Sequence, residues 1–176
     1  MIKLMTLLAL AGALAQEPSV QAEKDPFAPI RSLAGDWHGD ISGKLGTGTG
    51  VRHVEFILDG KYLLSRHASV RVPQELSPEG DHHRQLTVWS YDSERQKLVV
   101  REFMVEGFIL QSVCDADGKM INCEAEEVES GPGWQAKLQL EIKSHYEYVE
   151  RFWLAPPGTE LELYFTNRWT RIPEVQ

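Results

Sequence analysis

From residue 36 onward, hydrophobic and polar residues alternate with a period of two. That period marks strands that bury one face. The cleanest run sets Trp134, Ala136, Leu138, Leu140 and Ile142 against Gln135, Lys137, Gln139, Glu141 and Lys143. In His145 to Leu154, Tyr146, Tyr148, Phe152 and Leu154 share a face with Glu150. In Glu160 to Arg171, Leu161, Leu163, Phe165, Trp169 and Arg171 fall on one side. Shorter runs cover 36–44, 51–58, 62–72, 85–91, 97–105, 108–114 and 120–128. They are separated by turn signals such as Asp92-Ser93-Glu94-Arg95, Gly107, Ser130-Gly131-Pro132-Gly133 and Pro156-Pro157-Gly158. About nine or ten antiparallel strands at short, even spacing predict an all-β domain, either a sandwich or a closed barrel.

Local signals add detail. Phe27, Ile30 and Leu33 share one face of a helical spacing, which predicts a short helical plug over 27–34. In Leu33 to Asp40, Gly35 and Gly39 flank Trp37, so a bulky ring is expected between close-packed backbones. Gly43 to Gly50 holds four glycines without a phosphate-loop ending and reads as a flexible hairpin loop. A three-residue loop Asp59-Gly60-Lys61 with a bulge sets Tyr62, Leu64, Ala68, Val70 and Val72 on the same face as Val54 and Phe56. The same register turns Arg52 and Arg66 inward, where an unpaired charge is costly. Pro73 to His83 is a polar loop long enough to lid a barrel mouth, with His82 and His83 in solvent.

The N-terminus changes the picture of where the domain starts. Lys3 precedes an apolar run from Leu4 to Ala13, and Ala13-Leu14-Ala15 is a small-x-small cleavage site. Residues 1–15 are therefore expected to be a cleaved export signal, too short for a permanent membrane anchor. Residues 16–26 form a polar leader, and 27–172 the domain. The predicted location is secreted or periplasmic. Loss of Lys3 makes a chain of formal charge −8 more acidic by one. An acidic chain without a basic cluster argues against nucleic-acid binding. In an exported chain Cys114 and Cys123 are a candidate disulfide. A turn about Gly118-Lys119 places them face to face, whereas one about Asp117-Gly118 offsets them by two. Two cysteines without matching histidines give no metal site.

Gly35-Asp36-Trp37, with Arg168 or Arg171 in the last strand, resembles the lipocalin and wider calycin signature. The string Leu33 to Gly39 is similar to the opening of nitrobindin-like haem-binding barrels. Glu55 to Leu63, Tyr91-Asp92 and Tyr148 to Phe152 resemble a group of lipocalin-like bacterial proteins. The resemblance spans about residues 27–172 and implies a single antiparallel up-and-down barrel of eight to ten strands. It also implies that Trp37 packs at the closed end with Arg171 over it. Haem ligation is doubtful, because the family's histidine lies near the barrel end and Leu161 to Arg171 contains none; His145 is the nearest alternative.

The expected function is an exported barrel holding a small hydrophobic or amphipathic molecule. The candidate ligand-binding residues are Arg52, Arg66, Tyr62, Leu64, Tyr148, Glu150 and Phe165. Arg66 is the preferred anchor for an acidic ligand. The arginines alternatively pair with inward acids such as Glu150 or Glu102 in a buried network. No Gly-x-Ser-x-Gly elbow or His-Glu-x-x-His helix is present, and Ser65 near His67 is a poor nucleophile–base pair. Binding is thus expected over catalysis, with a filled structural barrel of the cell envelope or a small isomerase-type enzyme as alternatives.

Overall fold

The computed structural model describes residues 25–129 and 131–173. The expected export signal, its cleavage site near Ala15 and nearly all of the leader lie outside the described residues. A 3-10 turn, Arg31–Leu33, precedes ten strands. These are β1 (Gly35–Gly43), β2 (Gly46–Ile57), β3 (Tyr62–Arg71), β4 (Asp81–Asp92) and β5 (Lys97–Met104). They continue with β6 (Ile109–Asp117), β7 (Met120–Glu129), β8 (Gln135–Ser144), β9 (Glu147–Ala155) and β10 (Glu162–Arg171). Each strand pairs antiparallel with its chain neighbours, and β1 pairs with β10, so the sheet closes into one barrel without edges.

The two ends differ. Short connections at 58–61, 93–96, 118–119 and 145–146 share one end with the segment before β1. There Phe27, Ile30 and Leu33 are buried in the same core as Trp37, Val54, Leu63, Trp89, Val100, Ile121 and Leu140. The Trp37 indole donates to the Leu33 carbonyl at 2.8 Å, which ties this segment to the barrel. Arg171 stacks over the Trp37 ring at 4.3 Å and donates to the Ala34 carbonyl at 2.7 Å. This end is closed. The other end carries the long connection 72–80 and is open. Outward faces carry ion pairs, such as Arg151 with Glu141 and Arg168 with Glu147. Among the described residues no helix is long and apolar enough to cross a membrane.

Cys114 and Cys123 are directly opposite and joined by a disulfide, and Asp117 pairs with Met120, so the hairpin turns about Gly118-Lys119. Other local expectations need correction. The glycine-rich stretch 43–50 is a strand pair with a two-residue connection, Lys44-Leu45. Its glycines mark close backbone approach: a Cβ at Gly48 would lie 2.3 Å from the Val70 carbonyl oxygen, and one at Gly43 2.3 Å from that of Tyr164. His82 and His83 begin β4 and do not belong to a loop.

The β2–β3 hairpin is one residue out of the expected register. Ile57 pairs with Tyr62 across a four-residue loop in which Leu58, Asp59 and Gly60 all have positive φ. A one-residue slip exchanges the faces of a whole strand. Leu63, Ser65, His67, Ser69 and Arg71 therefore face inward, while Tyr62, Arg66, Ala68 and Val70 face out. In β10 a bulge between Leu163 and Phe165 leaves Leu161 and Leu163 exposed while Phe165, Asn167 and Trp169 face in.

Candidate functional site

The open half of the barrel encloses a cavity of about 400 Å³, within the usual range for a small-molecule site. Its sides are chemically unequal. Strands β6 to β10 and the connections before β6 and β8 supply an apolar wall that includes Phe108, Trp134, Ala136, Phe152, Tyr164 and Phe165. The bulge in β10 is what lets neighbours Tyr164 and Phe165 both contribute. Strands β3 and β4 supply a polar wall of His67, Ser69, Arg71, His83 and Gln85. Glycine makes room for the deepest rings. A Cβ at Gly39 would fall 2.6 Å from the Trp169 indole, and one at Gly50 3.3 Å from His67 Nε2.

The floor is a buried polar layer at mid-barrel. Arg52 Nη2 donates to both Glu150 oxygens at 3.0 and 3.1 Å, and its Nη1 donates to the Tyr148 hydroxyl at 2.9 Å. Trp169 Nε1 and Asn167 Nδ2 both donate to Glu150 Oε2, at 2.9 and 3.1 Å. The guanidinium also stacks over the Trp169 ring at 4.2 Å. Burial opposes the charge of Arg52, but the Glu150 carboxylate and the Tyr148 hydroxyl outweigh it and hold the guanidinium above its ordinary range. Burial likewise pushes the Tyr148 phenol up, against the pull of Arg52. Nearer the mouth, Arg71 Nη1 pairs with Asp81 at 2.7 Å, and His83 Nδ1 lies 2.8 Å from Glu106.

Glu102 differs from these. It is buried beside the Arg52–Glu150 pair, and its single hydrogen bond is to Gln85 through Oε1. Burial, and then the negative charge of Glu150, push its carboxyl up to about 7. His67 is shifted the other way. Burial, then the positive charge of Arg52, push its imidazole down to about 2. The ring is therefore neutral, packed edge-on against Trp169 and His83.

Several buried polar atoms in this layer and beside it have no hydrogen-bond partner within the protein: both ring nitrogens of His67, Ser65 Oγ, Glu102 Oε2, Asn167 Oδ1, and the Nε atoms of Arg52 and Arg71. Buried polar atoms are nearly always paired in folded proteins, and each orphan costs about 1–3 kcal/mol. All of these atoms belong to residues that line the cavity or the void below it. Beneath the floor a second void of about 20 Å³, lined by Arg52, Ser65, Thr87, Glu102, Tyr148 and Glu150 among others, is the size of a single water.

Of the residues singled out from sequence, Arg52, Tyr148, Glu150 and Phe165 converge on this layer or the cavity above it. Arg66 does not: it lies outside the barrel, half exposed and paired with Glu55. Tyr62 is on the outer face, and Leu64, though buried, lines neither void. All three misplacements follow from the one-residue register difference. Trp37 and Arg171 sit together at the closed end. His145 lies in the turn between β8 and β9, at the end away from the mouth. Sequence reasoning missed Arg71 and Asn167, and considered His67 only as a base for Ser65. For His67 and Arg71 the available signal is the polar alternation Ser65, His67, Ser69, Arg71, which has strand periodicity but faces solvent in the expected register. Among the described residues no cluster of three or more His, Cys, Asp or Glu side chains is arranged to hold a metal ion.

No family model matches the chain, and no curated protein matches it in sequence. In three dimensions it is similar to the crystal structure of Rv2717c from M. tuberculosis. That similarity has a TM-score of 0.60 at 12% sequence identity, over 84% of this chain and 98% of the other. At that identity the likeness shows the barrel fold alone.

Proposed function

We propose that this protein is a binding module that holds a small amphipathic molecule in the open half of its barrel. The apolar part would lie against the Phe108, Trp134 and Phe165 wall, with the polar part on the floor. The observation that carries this reading is the set of partnerless polar atoms around a cavity of about 400 Å³. A purely structural barrel gains nothing from leaving both open. Export belongs to the same proposal: it is supported by the N-terminal sequence and by the Cys114–Cys123 bridge, which suits an oxidising compartment. Haem is not favoured as the occupant. β10 carries no histidine and His145 lies outside the cavity; the histidines that do line it, His67 and His83, come from β3 and β4 rather than from the last strand.

Native mass spectrometry of protein purified without denaturant tests the proposal. A reproducible extra mass that is released on unfolding is expected. A clean apo mass that persists after incubation with amphiphiles of varied head group would overturn it. One observation favours a second reading, acid–base chemistry on the bound molecule: a carboxyl held at about 7 in a cavity can give and take a proton near neutrality. Incubation in deuterated water separates the two, since only catalysis would place carbon-bound deuterium in the occupant.

A further inference from the structure

We propose that the head group taken by this cavity is a hydrogen-bond donor, an amine foremost, seated against Glu102, Asn167 and His67, and that a carboxylate is refused. The inference rests on the binding reading above and narrows its ligand class. It starts from the charges around the cavity. Arg52 is neutralised by Glu150 through a two-pronged contact, with both side chains about nine-tenths buried. Arg71 is neutralised by Asp81. Neither cation is left over for an incoming anion. The remaining Nε donors belong to guanidinium groups already matched by a carboxylate.

Glu102 is the acid without a cation. Its residue is 4% exposed, it forms no ion pair, and its Oε2 has no partner. The Asn167 amide is oriented by chemistry. A carboxylate can only accept, so Nδ2 must point at Glu150 Oε2, 3.1 Å away. That leaves Oδ1, a fixed acceptor, buried without a donor. Neutral His67 adds one more acceptor nitrogen and one N–H.

The unpartnered atoms therefore include three acceptors, on Glu102, Asn167 and His67, against three donors, on Arg52, Arg71 and His67; both guanidinium donors already have a carboxylate partner, so the charge left unmatched is the negative one of Glu102. An ammonium would ion-pair with Glu102 and donate to Asn167 Oδ1, leaving the layer neutral. A ligand carboxylate would add an unmatched negative charge beside Glu102 and Glu150 in a water-poor site, where such charges are costly. An alcohol or amide, with one or two donors and no charge, falls between the two.

Titration calorimetry with octylamine, octanol and octanoate, which share one tail, tests the inference on the purified protein at a pH of about 8, where Glu102 has lost its proton. The amine is expected to bind at least about tenfold more tightly than the carboxylate, the scale of one charge-assisted hydrogen bond. In Glu102→Gln that preference should collapse, and an unchanged near-ultraviolet circular dichroism spectrum would show that the variant's barrel is intact. Octanoate binding as tightly as octylamine to the unaltered protein would overturn the head-group assignment and leave the binding reading standing. Failure of all three to bind would overturn both. An undiminished amine preference in Glu102→Gln would remove Glu102 from the site. The comparison on the unaltered protein decides the matter even if the variant does not fold.

Discussion

Replacing Glu102 by Gln should make the protein more stable, by an amount that depends on pH in a defined direction. In the folded chain the carboxyl keeps its proton up to about 7, whereas the ordinary value is 4.5. Between those values the folded state binds more protons than the unfolded state, so stability falls as pH rises through the window. The penalty is absent below 4.5 and complete above 7. A displacement of this size corresponds to about 3 kcal/mol. Gln cannot ionise, so the variant escapes the penalty and keeps the acceptor that meets Gln85. Urea denaturation of both proteins at pH values of about 4, 6 and 8 should show a stability difference that grows by about 3 kcal/mol across the series. His67 contributes with the opposite sign. Its folded value of about 2 lies below its ordinary 6.5, so its stabilisation is lost as pH falls below 6.5. It is common to both proteins and drops out of the difference. A difference that stays flat with pH, or grows toward acid, would refute the account of Glu102 as an unmatched buried acid.

Arg52→Met should cost about 3–5 kcal/mol in the same denaturation assay, because it leaves Glu150 buried without its cation; adding Glu150→Leu should restore most of that loss. Gly39→Val should cost at least 1–3 kcal/mol and alter near-ultraviolet circular dichroism, since the new side chain must displace the Trp169 indole. Arg66→Met should leave the thermal midpoint and the affinity for every octyl probe unchanged, as befits an exposed residue away from both voids. Replacing Cys114 and Cys123 together by Ser should lower stability by about 2–3 kcal/mol, the scale for closing a short loop, and should abolish the response of the midpoint to reducing agent.

The fold was readable because nine or ten strands repeat one simple period, and the run from Trp134 to Ile142 shows it without ambiguity. The faces of the β2–β3 hairpin were not, for a physical reason. Periodicity gives two faces but does not name the inner one. The usual rule, apolar inward, fails where a strand lines a polar cavity. Tyr62, Leu64, Ala68 and Val70 made the better hydrophobic stripe, yet His67 and Arg71 lie inside. The loop decides the register, and its three successive residues of positive φ include Leu58, a residue type that gives no warning of that conformation. Arg52, Tyr148 and Glu150 were located because β2 and β9 carry enough large apolar neighbours to fix their parity. The glycines of 46–50 were misread because glycine marks both loops and close strand approach, and only the neighbouring backbone distinguishes the two.

The seam between β1 and β10 carries a consequence for how the chain reaches this state. Arg171 and Ala34, bonded across it, are 137 positions apart in sequence, whereas every other strand pairing joins chain neighbours. Hairpins can form early and cheaply, but the seam needs the longest loop closure in the molecule. Arg52 comes from one side of that seam, and Glu150, Asn167 and Trp169 from the other. The floor of the cavity is therefore assembled only when the barrel shuts, so a chain still emerging from synthesis has no cavity floor until its last strand is in place.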